Sequence, residues 1–191
     1  MILSAKKVLE LNKRYALVEG LAERELKNPE GVEVELRVGE VFKITSEGYL
    51  GVEKRKSPDI EIIGDIKKGD KEVIIRPGEY VLVKTMEIVH SPSEKVMVEE
   101  GEKPVYLMPT IYPRSTLQRC GVLLISTTTN PGYKGELTFG MVNLNKHSFK
   151  LELGARIAKL VFVEVVGELA RTYEGQWNRG RVATEKVERQ N

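Results

Sequence analysis

Polar and apolar positions along the 191-residue chain change their period once. Near the start the spacing is helical: Val8, Leu9 and Leu11 share one face of a segment running from Ser4, whose hydroxyl suits an N-cap, to about Tyr15. A second short helix is predicted over Leu21 to Lys27, and Pro29 ends it, because the residue before a proline is pushed out of the helical region. From Val32 onward the alternation is twofold. VEVELRV, EVFKI, the run around Ile60, KEVIIR and YVLVKTMEIV predict strands, followed by VYLMPTI, GVLLIST, GELTFGMVNL, FKLEL and ARIAKLVFVEVV. The breaks between them, among them Gly39, Lys68-Gly69-Asp70, Arg76-Pro77-Gly78-Glu79 and Ser91-Pro92-Ser93, have turn composition. Short strands at regular intervals point to an all-β sandwich or barrel with a helical N-terminal segment, rather than to a βαβ fold. After Gly167 the chain turns polar and reads as a mobile tail.

Composition narrows the chemistry. Thirty basic and twenty-eight acidic residues nearly cancel and are interspersed, so no global field draws nucleic acid. Cys120 is the sole cysteine, and with the widely spaced His90 and His147 it makes neither an internal disulfide nor a zinc site of ordinary spacing. No run approaches the roughly 18 apolar residues of a membrane span, and no secretory cleavage pattern is seen. The expected setting is therefore cytoplasmic, without a membrane partner. The charged content of 30% resembles that of thermophile proteins.

Three stretches carry candidate chemistry. In PRSTLQR, Pro113 is followed by Arg114, Ser115 and Thr116, which put a guanidinium fork, two hydroxyls and backbone amides in one place. Arg119 joins them if Ser115 to Arg119 form a helical turn, so the composition is that of a phosphate cradle. In NPGYKG, a tight turn from Asn130 presents Tyr133 at its exit. In ARIAKLVF, Arg156 and Lys159 stand on an otherwise apolar strand where alternation cannot send both to one face, so at least one needs an anionic partner or solvent.

The order PRSTLQR, NPGYKGELTF, ARIAKLVF and then YEGQW resembles the dCTP deaminase/trimeric dUTPase superfamily, and PEGVEVELRVG near the start is similar to a run of its deaminase branch. The resemblance implies a distorted jelly-roll β-barrel of the dUTPase-like type, assembled as a homotrimer with sites at subunit interfaces. It implies one domain over residues 1–170, including a helical segment 1–28, and a tail at 171–191 that closes over the site. The implied ligand is a pyrimidine deoxynucleoside triphosphate, with Mg²⁺ bound through the triphosphate. Arg114, Ser115, Thr116 and Arg119 would hold phosphates. Tyr133 would pack on the deoxyribose, Lys159 would stand where the family has a phosphate-contacting Gln, and Tyr173, Gln176 and Trp177 would belong to the closing segment.

Two positions depart from that pattern. The Asp that activates water in dUTPases is Asn130, and an amide accepts no proton near neutral pH. The Glu that shuttles protons in dCTP deaminases falls at Gly140. Glu136, Glu174, and the pair Glu33 and Glu35 on one strand face are other acids along these motifs, with plain surface or structural roles as the simpler account. The expected activity is hydrolysis of dUTP to dUMP and pyrophosphate or deamination of dCTP. A nucleotide-binding or regulatory trimer without turnover, and a structural trimer with a vestigial cradle, stay open beside it.

Overall fold

Residues 1–190 are described in a computed structural model of the chain. Helix α1 (Ala5–Tyr15) starts where the Ser4 hydroxyl accepts from the Lys7 amide at 3.2 Å, and Ala16 ends it in the left-handed region. Its apolar stripe buries Ala5, Val8 and Leu11 against the sheet. Helix α2 (Glu23–Lys27) is shorter than its pattern suggested.

The strands are β1 (Val18–Glu19), β2 (Val34–Ile44), β3 (Tyr49–Leu50), β4 (Lys54–Lys56), β5 (Ile60–Asp65), β6 (Glu72–Ile75) and β7 (Tyr80–His90). They continue with β8 (Tyr106–Pro113), β9 (Val122–Ile125), β10 (Lys134–Asn143), β11 (Phe149–Glu152), β12 (Arg156–Val165) and β13 (Glu188–Arg189). The main sheet runs β8-β12-β2-β7-β10-β9, with β1 paired to β7 and β5 to β2. All its pairings are antiparallel. Helix α3 (Ser115–Arg119) joins the two edge strands, and the Ser126 hydroxyl donates to the Ile111 carbonyl at 3.4 Å across them. The sheet is thereby curled into a nearly closed barrel with its seam at α3, the all-β barrel that the alternation pointed to.

Alternation fills the interior. Leu36, Ile75, Leu107, Met141, Ile157, Leu160 and Phe162 are essentially inaccessible, each stabilising the fold by about 1.5–3 kcal/mol relative to exposure.

Three local readings change. Gly39 does not end a strand; β2 runs through it, with a register shift between Val38 and Glu40, because a glycine serves a bulge as readily as a turn. A second register shift between Arg156 and Ala158 puts both Arg156 and Lys159 on the half-exposed outer face, which strict alternation had forbidden. The polar C-terminal segment is tied down: β13 pairs β4, and the Ser57 amide and the Thr184 amide each donate to the other residue's hydroxyl, at 2.9 and 2.7 Å. Hydrogen bonds rather than apolar periodicity hold it, so periodicity gave no sign of it. Among the described residues no helix is long and apolar enough to cross a membrane.

Candidate functional site

The sequence-predicted residues fall into two regions of the chain. The first is the barrel seam. Pro113 ends β8, the Arg114 amide donates to the Ile157 carbonyl at 3.1 Å, and Arg114 in extended conformation caps α3. Leu117 anchors the helix in the core, while Ser115, Thr116, Gln118 and Arg119 face outward. Beneath them lies a charge array that the sequence did not announce. Glu35, 6% exposed, forms an ion pair at 3.0 Å with Arg114 Nε through one oxygen. Its other oxygen accepts from Arg156 and, at 3.3 Å, from Arg24 Nη1. Arg24 Nη1 also donates to Glu25 at 2.7 Å, and Glu25, fully buried, accepts from the Glu35 amide at 3.2 Å. Lys159 pairs with Glu33, the residue just before β2.

Buried carboxylates are tolerated only when paired and hydrogen-bonded, and here two of them hold three guanidiniums. The chemical consequence lies on the outside. Arg114 is fixed through Nε with its Nη donors uncommitted among the described residues, next to two exposed hydroxyls and Arg119 at the end of α3. Period two had placed Glu33 and Glu35 on one strand face; what it could not show was that Arg156 and Lys159 face them across the β2–β12 ladder.

The second region is the turn after Thr129. Asn130 is exposed and its carbonyl accepts from the Tyr133 amide at 3.1 Å. Ser91 bolts the turn to the end of β7: its carbonyl accepts from the Gly132 amide at 2.7 Å, its amide donates to the Tyr133 carbonyl at 2.9 Å, and its hydroxyl donates to the Leu107 carbonyl at 2.6 Å. Tyr133 is only 8% exposed and its hydroxyl donates to the Glu136 carbonyl at 2.6 Å. Burial, helped by nearby Tyr173 and Glu136, pushes the phenol up to about 12, so it stays a donor.

The tail lies across this turn as a strap. The Tyr173 amide donates to the Pro131 carbonyl at 2.6 Å, and the rings of Tyr133 and Tyr173 pack with centroids 5.8 Å apart. Gly132 is required twice: its φ is +103°, and a Cβ there would stand 2.7 Å from the Tyr173 carbonyl oxygen. Asn178 accepts from the Lys134 amide at 2.8 Å. Arg55 of β4 lies over the Trp177 ring, 4.9 Å from its centroid. Between strap, turn and β4 is a cavity of about 510 Å³ whose walls include Asn130, Tyr173, Gln176 and Trp177. Arg114, Ser115, Thr116, Arg119 and Lys159 are not among its lining residues. No hydrogen bond or ion pair among the described residues joins the two regions.

Neither departure position supplies an acid. Asn130 keeps its exposed amide. Gly140 lies on the outward face of β10, between Leu82 of β7 and Ile125 of β9, and a Cβ there would fall on the Tyr80 hydroxyl. Tyr80 therefore fills the space a side chain at position 140 would need. Its phenol is pushed up by burial and stays protonated.

The family model for dCTP deaminase-like proteins matches residues 2–165. The chain is 29% identical over 178 residues to a dUMP-forming dCTP deaminase of Dictyoglomus turgidum, an alignment covering 91% of this chain and 85% of that protein. It is 34% identical over 145 residues to a deoxyuridine 5′-triphosphate nucleotidohydrolase of Methanocaldococcus jannaschii, covering 74% of this chain and 81% of the relative. Among solved structures it is similar in fold to the 2′-deoxycytidine 5′-triphosphate deaminase of Agrobacterium tumefaciens, with a TM-score of 0.59 at 14% identity. That match covers 84% of this chain and 46% of the solved one, so the chain spans less than half the length of that deaminase.

Proposed function

The chain belongs to the dCTP deaminase-like family, and on that premise we propose that it binds a pyrimidine deoxynucleoside triphosphate and processes it, by hydrolysis of dUTP to dUMP and pyrophosphate or by deamination of dCTP. The observation that carries this reading is the seam array. Glu35 fixes Arg114 beside Ser115, Thr116 and Arg119, on an outer face that also carries Lys159. Fixed guanidiniums and free hydroxyls are the groups that recognise phosphate oxygens.

The seam and the Asn130 turn are complementary halves that no hydrogen bond or ion pair among the described residues joins within one chain, which supports a homotrimer with the α3 of one protomer serving the turn and strap of another. In this reading the triphosphate lies on Arg114, Ser115, Thr116, Arg119 and Lys159. Asn130 and the strap residues Tyr173, Gln176 and Trp177 enclose the nucleoside, with Tyr133 buried behind Tyr173 as its support. Mg²⁺ would enter with the triphosphate and neutralise its charge. Among the described residues no group of three or more metal-ligating side chains converges, and Glu33 and Glu35 are engaged by basic partners, so its ligands would be phosphate oxygens and water.

A second reading, binding without turnover, is favoured by one observation: the Tyr80 phenol occupies the outward space above Gly140, where a proton-shuttling carboxylate would have to project. Incubation with dUTP and with dCTP, with and without Mg²⁺, scoring pyrophosphate and ammonia separately, decides between them. Either product, lost in Arg114→Ala, supports the enzyme. Saturable nucleotide binding with neither product supports the second reading. No binding at all overturns both.

A further inference from the structure

The outward face of the barrel around Gly140 is an apolar platform with one hydroxyl at its centre. Gly140 lies directly opposite Leu82 of β7 on one side and Ile125 of β9 on the other, and the adjoining row is Tyr80, Val142 and Leu123. Tyr80, Leu123 and Ile125 are 39%, 44% and 50% exposed, so the platform is open to the outside. The Tyr80 ring crosses from its own row to Gly140: its Cζ and Cε2 stand 2.8 and 3.1 Å from where a Gly140 Cβ would be, so the glycine leaves the slot that the phenol fills. The hydroxyls of Tyr15, Tyr133 and Tyr173 are hydrogen-bonded, whereas that of Tyr80 has no partner among the described residues. Burial pushes the Tyr80 phenol up, so the hydroxyl keeps its proton at neutral pH. In the row nearer the Asn130 turn the face becomes polar, with Lys84 opposite Thr138 and donating to Glu40 at 3.4 Å, and the platform ends there. Along the chain, β9 leads from α3 toward the Asn130 turn, so the platform stands between the two candidate regions.

We propose that this platform seats the base of the nucleotide and that Tyr80 is the specificity-determining residue, its hydroxyl donating to the 4-carbonyl of uracil, so that dUTP is preferred over dCTP. The proposal rests on the nucleotide reading given above and adds the base to it. Sites for planar ligands are mostly apolar, with a few polar groups that fix orientation. The sugar is attached at N1, so when α3 and the turn hold phosphates and sugar, C4 is the ring atom farthest from them. A uracil carbonyl at C4 accepts from the phenol. A cytosine amino group is itself a donor, and pairing it with the hydroxyl oxygen leaves the phenol proton without an acceptor on an apolar wall.

The full-length wild type, Tyr80→Phe, Ile125→Ala and Arg114→Ala are titrated calorimetrically with dUTP and with dCTP, and melting temperature and light scattering are measured on each. The wild type is expected to bind dUTP about tenfold more tightly than dCTP. Tyr80→Phe keeps the ring and is expected to bring that ratio below about twofold, mainly by weakening dUTP, with melting temperature and assembly unchanged. Ile125→Ala is expected to weaken both nucleotides by a similar factor of about three and to leave the ratio as it was.

The inference is overturned, with the nucleotide reading intact, if the wild type binds the two nucleotides equally or prefers dCTP, or if Tyr80→Phe keeps the wild-type ratio, while Arg114→Ala abolishes binding. It is overturned in favour of a contact with a second copy of the chain if Tyr80→Phe or Ile125→Ala changes the assembly state and the ratio survives. A dUTP preference lost in Tyr80→Phe, with Arg114→Ala binding as the wild type does, would uphold the platform and remove the α3 assignment. Failure of the wild type to bind either nucleotide would refute both.

Discussion

The barrel seam and the strapped turn hold their functional side chains by opposite means. At the seam, charge does the positioning: two buried carboxylates, Glu25 and Glu35, gather Arg24, Arg114 and Arg156 from three separate elements. At the turn, the backbone does it: Ser91 and Tyr173 hold Gly132 and its neighbours through main-chain hydrogen bonds, and no ion pair takes part in those contacts. A charge-held site presents directed donors and suits an anion, whereas a backbone-held turn with packed rings is a shaped wall. The difference teaches that a family motif can survive at both places while depending on different physics.

The largest test of that contrast is removal of the seam's hub. Glu35→Ala leaves three guanidiniums facing one another without their shared partner and is expected to cost about 3–5 kcal/mol in chemical denaturation. A loss below about 1 kcal/mol would show that the array is not holding the seam. The counterpart at the turn, Gly132→Ala, forces a left-handed backbone and a collision with Tyr173. It is expected to cost about 1–3 kcal/mol. Its effect should be local, with limited proteolysis cutting the tail after Arg171 or Arg179 faster while the barrel resists.

Position 140 sharpens the chemical side. Gly140→Glu alone drives a side chain into Tyr80 and is expected to destabilise by about 1–3 kcal/mol, with no gain of activity. Combined with Tyr80→Ala, it should restore stability and raise ammonia release from dCTP; equal release by the single and double variants would show that Tyr80 does not control that space.

The smallest expected effect is a pH dependence at the turn. The Tyr133 phenol has a folded-state value raised to about 12 from an ordinary 10, so its stabilising contribution is complete below pH 10 and is lost as pH rises through about 12. Tyr133→Phe should therefore flatten the alkaline limb of a stability profile; parallel limbs for the two proteins would place the titration elsewhere.

Much of the barrel was legible because its strands obey period two and its turns use Gly, Pro and Asp. Gly39 and the Arg156 to Ala158 bulge were misread because a bulge inserts one residue and reverses the faces, which a strict alternation cannot represent. Arg114, Ser115 and Arg119 were visible as a cluster because they are contiguous. Glu35, Arg55 and Tyr80 were not, because their partners lie far away in sequence: Glu35 is 79 residues before Arg114, and Tyr80 is 60 before Gly140. The tail's attachment rests on hydrogen bonds such as that between Ser57 and Thr184, which leave no periodic trace in composition.

The central claim is that the seam around Arg114 binds a pyrimidine deoxynucleoside triphosphate. Its most direct test is a calorimetric titration of the wild type and of Arg114→Ala with dUTP and dCTP, with the assembly state of both proteins checked by light scattering. The predicted result is saturable binding of at least one of the two nucleotides by the wild type and none by a variant of unchanged assembly. Equal affinity in the two proteins, or no heat from either nucleotide with the wild type, would contradict it.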